Sequence, residues 1–215
     1  MQTIKPSDYN FSLTKRTLDL LVSSTFLLFL SPVFLITAVL IKLTSKGSVL
    51  FTQKRIGKDG KIFTIFKFRT MKVGAEQERS RLISKNQVDG PVFKIYDDPR
   101  YTKTGKILAH TGLDELPQLI NVLRDEMSLV GPRPLPTYEA ELLTKEQKVR
   151  ELVKPGITSS WVVAGAHNLS FKKWMDIDRK YVINASLEED LSVLIKTFRS
   201  VSGFTVRQIE DLIAK

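Results

Sequence analysis

From Leu20 to Ile41 the chain carries no charged side chain. An apolar run of that length is about enough to cross a bilayer as a helix, and it limits what the rest of the chain can fold into. Two features complicate a simple span. Ser31-Pro32 falls at the middle of the run, and a proline inside a helix removes a hydrogen bond and kinks the axis. Basic residues also flank both ends, Lys15 and Arg16 before and Lys42 and Lys46 after. A straight span normally shows an asymmetry of flanking charge. Matched charge is easier to satisfy if both ends stay cytoplasmic, the helix entering one leaflet, bending at Ser31-Pro32 and returning. Ser31 would then bond a carbonyl freed by the kink. The residues alone leave a straight span and a re-entrant helix both open. A cleaved signal peptide fits poorly, because the run is long and Lys42-Leu43-Thr44 offers no small-residue cleavage site.

The 215 residues suffice for one domain with its own core plus an appendage. We divide them into 1–46, a tail with the membrane helix, and 47–215, a cytoplasmic domain. Lys+Arg 33 against Asp+Glu 23 leaves a net charge of +10, which suits an anionic membrane surface or phosphorylated substrates. Nucleic acid is the least supported partner, since no zinc-finger spacing, aromatic RNA-binding motif or basic-zipper pattern is present. The absence of cysteine removes disulfides, thiolate nucleophiles and cysteine metal sites. The two histidines, His110 and His167, share no short metal-binding motif. A hard cation held by carboxylate and phosphate oxygens remains open.

Val49 to Gln53 and Ile62 to Phe68 are β-branched and aromatic, with Gly57-Lys58-Asp59-Gly60 between them, and predict a β-hairpin. Alternation along its second strand puts Lys67 and Arg69 on one side, where ordinary surface charge and a buried or phosphate-facing role are both open. Glu76 to Gln87 reads as a surface helix or insertion, Val92 to Tyr96 as a short strand, and Asp97-Asp98-Pro99 as a turn. Tyr138 to Val153 reads as one amphipathic helix stopped by Lys154-Pro155-Gly156. Trp161 to Val163 is a strand or a packed loop. Ser170 is placed to cap a helix reaching Tyr181. Ser186 and Glu189 form a capping box for a helix over Leu187 to Arg199, whose Leu187, Leu191, Leu194, Ile195 and Phe198 make an apolar face. Gly203 is expected to break the chain before a last helix over Val206 to Ile213. The fold class is therefore α+β, mostly helical, with a small hairpin.

The chemistry concentrates between His110 and Pro136. Asp114-Glu115 precedes Leu116, Leu119, Ile120 and Leu123, which are spaced like one helical face. Pro117 is tolerable in a first turn, so Asp114 is expected at or just before the helix start, with Thr111 as an alternative cap. A carboxylate there faces free N–H groups, a place that also attracts phosphate. Asp114 reads either as a cap or as an oxygen nucleophile able to form an acyl phosphate. Gly131-Pro132-Arg133-Pro134 is a stiff turn that fixes one guanidinium for bidentate contact with phosphate.

Taken together, LDELPQLINVL with MSLVGPRPL, Lys15-Arg16 with Asp19, Ser31-Pro32, Phe51 to Gln53, Lys67-Phe68-Arg69-Thr70-Met71, Asp98-Pro99-Arg100 and Pro155-Gly156-Ile157-Thr158 resemble the bacterial sugar transferases. These are monotopic phosphoglycosyl transferases that begin lipid-linked glycan assembly. The resemblance covers nearly the whole chain. It implies a re-entrant helix kinked at Ser31 and Pro32, on the cytoplasmic face of a bacterial inner membrane. It implies transfer of a sugar-1-phosphate from a nucleotide diphospho-sugar, a UDP-sugar, to polyprenyl phosphate with release of UMP. The implied course has two steps: Asp114 is nucleophile and Mg2+ ligand, Glu115 takes a proton from polyprenyl phosphate, and Lys67, Arg69 and Arg133 bind phosphate. Membrane lipids, downstream glycosyltransferases and a second copy of the chain are the further partners it suggests. Some positions depart from the family pattern. Ala109 stands where arginine is frequent, and Val162 and Ala166 replace an amide and a basic group that usually face substrate. Those changes bear on sugar and nucleotide specificity, with His110 and His167 as substitutes or as plain packing residues. A non-catalytic, membrane-anchored homologue that binds and organises other components is the competing function.

Overall fold

The computed structural model describes residues 4–165 and 169–213. Its helices are α1 Leu13–Phe29, α2 Ser31–Thr44, α3 Lys103–Thr111, α4 Leu119–Leu123, α5 Thr137–Ala140, α6 Ser160–Val163, α7 Phe171–Asn184 and α8 Leu187–Ile213. The strands are β1 Leu50–Ile56, β2 Ile62–Phe68, β3 Ser128–Val130 and β4 Gly156–Thr158. The fold is α+β and mainly helical, with two small two-stranded sheets among the described residues.

The apolar run becomes two helices. Leu30 ends α1, Pro32 occupies the first turn of α2, and the axes bend by 60°. Ser31 Oγ donates to the Leu28 carbonyl at 2.8 Å, taking up a group the kink would orphan. No single helix among the described residues is long and apolar enough to cross a membrane. The pair is inverted relative to a soluble helix. α1 buries Lys15, Asp19 and Ser23, spaced four apart on one face, while Leu21, Leu28, Phe29, Leu35, Ile36 and Leu43 are exposed.

β1 and β2 pair antiparallel from Leu50 opposite Phe68 to Ile56 opposite Ile62, as the hairpin pattern predicts. Phe63 and Ile65 turn inward onto Val122 and Met127. A second sheet, which local pattern did not announce, pairs β3 with β4 in parallel, Ser128 opposite Gly156 and Val130 opposite Thr158. Beyond it, Trp161 stacks on Trp174 with ring centroids 4.2 Å apart, in a core with Leu135, Leu143, Phe171 and Met175.

Several elements differ from the sequence reading. Val92 to Tyr96 is not a strand, because the Lys94 and Tyr96 N–H groups donate to the side chains of Asn86 and Gln87 instead of to a neighbouring strand. Arg79–Lys85 within the charged insertion is a 3-10 helix. Tyr138 to Val153 is not one helix but α5 and a 3-10 helix over Gln147–Leu152. Thr144 and Gln147 exchange backbone and side-chain bonds there, a reciprocal cap that restarts the chain. Trp161 lies in α6, started by Ser159 Oγ accepting from Val162 N. Ser170 caps α7 through Lys173 N. Ser186 Oγ accepts from Glu189 N, but the Glu189 carboxylate accepts from Ser160 Oγ, so only half the expected box forms. α8 runs through Gly203 to Ile213; one glycine costs a helix about 1 kcal/mol, which is not enough to end it.

Gly105 is where α3 meets the segment after β2. A β-carbon there would sit 1.8 Å from the Thr70 carbonyl oxygen, backbone that cannot step aside as a side chain would. Gly105→Ala is expected to destabilise by about 1–3 kcal/mol through overpacking. Thermal melts of the detergent-solubilised protein read this directly; an unchanged melting temperature would mean that α3 can move off Thr70.

Candidate active site

Asp114 and Glu115 lie in a 3-10 helix over Leu113–Gln118, which feeds into α4. Its N-cap is Gly112, in the left-handed region at φ 72°, and it makes no side-chain cap bond. Asp114 is therefore inside the first turn, not the cap, and Thr111 closes onto the Ile107 and Leu108 carbonyls of α3 instead. The cap reading fails because α3 turns into the 3-10 helix through one glycine, leaving no separate entry for a capping side chain. Pro117 sits in the interior of that helix, a geometry that gives way to α4 within two residues.

The hairpin edge faces this turn. Asn121 of α4 reaches into β2 like a strand of its own: its Nδ2 donates to the Thr64 carbonyl at 2.8 Å and its Oδ1 accepts from Phe66 N at 3.2 Å. That clamp sets Lys67 opposite the dyad. Lys67 Nζ lies 2.5 Å from Glu115 Oε1 and 3.9 Å from Asp114 Oδ2. Arg133 Nη2 donates to the same Glu115 oxygen at 3.0 Å. The turn carrying Arg133 is held by two other guanidiniums: Arg55 donates to the Pro134 carbonyl at 2.9 Å and Arg150 to the Arg133 carbonyl at 2.6 Å. Arg150 is in turn paired with Asp178 at 2.9 Å, both buried. The parallel sheet secures the near side of the turn, with Gly131 N bonded to the Thr158 carbonyl and Gly156 N to the Pro132 carbonyl.

Arg69 is the one predicted phosphate ligand not brought here. β2 ends at Phe68, so strand alternation no longer governs Arg69. Its guanidinium donates to the Ser45 carbonyl at 3.1 Å, to Ser45 Oγ at 2.8 Å and to the Lys46 carbonyl, closing the C-terminal end of α2. Asp98 forms a buried fork with Arg100 at 2.7 Å, in keeping with the turn reading. His110 stacks on Tyr96 in the last turn of α3. Ala166 and His167 lie outside the described residues.

The two carboxylates are electrostatically unlike. Burial, with the Glu115 charge adding to it, pushes Asp114 up to about 6 against the opposing pull of Lys67. Burial also works against ionisation of Glu115, but Arg133 and Lys67 together hold it well below the usual carboxylate range. Glu115 is thus a locked anion, and Asp114 is the carboxylate with a weaker hold on its charge. One anion is spoken for, two cations hold it, and a second, buried carboxylate lies 3.9 Å from one of them. That arrangement defines a site for phosphoryl chemistry. The local sequence did not signal Asn121, Arg55 or Arg150, whose partners lie far along the chain.

Residues 10–203 match the bacterial sugar transferase family, and the chain belongs to that family. It is 42% identical to galactosyl transferase CpsE of Streptococcus agalactiae serotype III (strain NEM316), over 72% of this chain and 35% of CpsE. It is 36% identical to exopolysaccharide production protein ExoY of Sinorhizobium fredii (strain NBRC 101917 / NGR234), over 88% of this chain and 85% of ExoY. It is also 36% identical to the UDP-N-acetylgalactosamine-undecaprenyl-phosphate N-acetylgalactosaminephosphotransferase of Aeromonas hydrophila, over 92% of this chain and 46% of that protein. The chain thus spans less than half of two of these relatives and most of the third.

Proposed function

We propose that this chain is a membrane-associated phosphoglycosyl transferase. It takes a sugar-1-phosphate from a UDP-sugar and passes it to polyprenyl phosphate, yielding polyprenyl-diphospho-sugar and UMP at the start of surface-glycan assembly. The observation that carries the reading is the dyad: a buried Asp114 beside a Glu115 locked by Lys67 and Arg133. The Aeromonas relative's name, which contains both a UDP-sugar and undecaprenyl phosphate, agrees with it. In the first step an Asp114 oxygen attacks the sugar-bearing phosphorus, the bond to the UMP oxygen breaks, and UMP leaves with the electron pair. In the second step a polyprenyl phosphate oxygen attacks the same phosphorus and the aspartyl bond breaks, restoring the carboxylate. Substrate phosphates would draw Lys67 and Arg133 away from Glu115, letting its affinity for a proton rise so that it takes one from polyprenyl phosphate. Purified protein, polyprenyl phosphate and a panel of UDP-sugars test the reading through UMP release. No release with any of them would favour a binding or scaffolding role instead.

Among the described residues no three acidic or histidine side chains could hold a metal by themselves. The single Asp114 carboxylate suits Mg2+, which commonly takes one or two carboxylates and completes its shell with substrate phosphates and water. When bound, the ion would neutralise diphosphate charge. Activity is expected to vanish with excess chelator and return with added magnesium; full activity in chelator would remove Asp114 as a ligand.

The helix pair we read as re-entrant, with both ends cytoplasmic. Both ends are tied to the same folded domain, α1 through Lys15 on Val130 and Asp190, and α2 through Arg69 on Ser45 and Lys46. Because the chain lacks cysteine, Lys5→Cys and Ser48→Cys give unique labels at exposed positions. An impermeant thiol reagent on intact cells should leave both unlabelled, and both should react once the cells are opened. Labelling of one site only in intact cells would establish a straight span.

A further inference from the structure

Both strands of the hairpin contribute to the face that fronts the dyad. On β2, Phe63 and Ile65 turn onto the core and Lys67 reaches Glu115. Residues directly opposite one another in an antiparallel pair share a face. The register sets Arg55 opposite Phe63, Gln53 opposite Ile65 and Phe51 opposite Lys67, so these three β1 residues line the same face. Arg55 confirms the direction, since its guanidinium holds the Pro134 carbonyl in the turn that presents Arg133. Arg55 stands at the end of the row nearer the hairpin tip. Phe51 stands at the other end, beside Lys67, at the spacing of about 5 Å between β-carbons that a facing pair takes.

Phe51 is the apolar member of this row. It is 37% exposed, and among the described residues its ring meets no other ring and no cation. Its end of the row is also the membrane end. Residues 45–49 alone join α2 to β1, and Arg69 ties Ser45 to the base of the hairpin. Phe34 and Ile41 of α2, Val49 and Phe68 at that base, Leu108 of α3 and Leu113 form one apolar cluster. Leu113 directly precedes Asp114. Apolar packing therefore continues from the membrane helix to the residue next to the nucleophile. Phe51, two residues beyond Val49, is the exposed ring at that end of the site.

We propose that Phe51 packs against the isoprenoid chain of the acceptor, next to its phosphate, as that phosphate reaches Asp114. This rests on the transferase reading and assigns a subsite to one of its two substrates. The acceptor's chain is held in lipid, so it approaches from the α2 end of the row, where Phe51 stands. The nucleotide-sugar comes from water and has no need of that end. An apolar ring suits a hydrocarbon chain and offers a diphosphate nothing. Lys67, opposite the ring, supplies the charge for the phosphate that the chain carries.

The two-step course makes the test selective, because kcat/KM for each substrate reports its own half-reaction. Phe51→Thr keeps a β-branched strand former and removes the ring. For the full chain in detergent, kcat/KM for polyprenyl phosphate should fall about five- to thirtyfold, the worth of one part-exposed ring. The value for the UDP-sugar, and the burst of UMP it releases without acceptor, should be unchanged; that burst also shows that the variant is folded. Phe51→Leu, which stays apolar, should keep most of the acceptor efficiency. Phe51→Cys adds a readout that needs no turnover, since the chain has no other cysteine. Polyprenyl phosphate should protect that thiol from alkylation, and the UDP-sugar should not. Equal losses for both substrates would mean that the ring only supports Lys67, and a loss confined to the UDP-sugar would put the sugar or base on it. Either result, unchanged kinetics in Phe51→Thr, or a thiol alkylated as fast with polyprenyl phosphate as without it, overturns the inference and leaves the transferase reading standing. Wild-type protein that releases no UMP overturns both.

Discussion

Asp114→Asn is expected to abolish turnover in a protein at least as stable as wild type. The substitution keeps the shape and leaves an amide, which cannot readily form an acyl phosphate. No cap is lost, because Gly112 and not Asp114 occupies the cap position. The stability change has a definite sign. Folding raises Asp114 from 3.8 to about 6. At pH 7 the carboxylate is ionised in both states and its burial costs up to about 3 kcal/mol. Asparagine removes that cost, which is already net of the attraction to Lys67. The variant's advantage should therefore be greatest above pH 6, shrink as pH falls through 6 toward 4, and be absent where Asp114 is protonated in both states. UMP release and melting temperature, measured against pH on one preparation, read both effects. A folded variant with near-normal turnover would make the covalent mechanism wrong.

The dyad was legible because adjacent carboxylates, Pro117 and the Gly131-Pro132-Arg133-Pro134 turn are local signals, and local signals survive in one dimension. Lys67 was legible through alternation along β2, and Arg69 was misplaced by the same rule, applied one residue past the strand's end. Tyr138 to Val153 shows another limit. Its apolar spacing is helical, but buried Glu139 and Arg150 serve partners at Phe93 and Asp178, and the Thr144–Gln147 cap restarts the chain between them. The parallel pairing of β3 and β4 and the Asn121 clamp on β2 join segments whose complementarity appears only after folding. The kink was legible in full, including the Ser31 bond, since Pro32 constrains its own neighbourhood regardless of tertiary context.

Lys15→Met is expected to lower stability by about 3–5 kcal/mol, the usual cost of leaving a buried charge without its partner. Lys15 Nζ contacts Asp190 at 2.5 Å, the Val130 carbonyl at 2.9 Å and the Tyr181 hydroxyl at 3.2 Å. Asp190 is fully buried, and it also accepts from the Tyr181 hydroxyl at 2.8 Å and the Tyr9 hydroxyl at 3.1 Å. The methionine can fill the space of the lysine stem but leaves an uncompensated carboxylate. The two tyrosine hydroxyls cannot neutralise it. Replacing both charges should recover much of the loss, because an apolar pair of similar volume avoids the desolvation of either ion. Lys15→Met with Asp190→Leu is therefore expected to be clearly more stable than Lys15→Met alone. The network also bears on the site, since Val130 directly precedes the turn that presents Arg133. Freed from Lys15, that carbonyl competes with the Asp190 carboxylate for the single Tyr181 hydroxyl proton, and KM for the nucleotide-sugar should rise in the single variant at temperatures where it remains folded. Chemical denaturation in detergent, run as a double-mutant cycle, measures the coupling. A single variant that loses less than about 1 kcal/mol, or a double variant no better than the single, would show that Asp190 is satisfied without Lys15 and that the α1 anchor lies elsewhere.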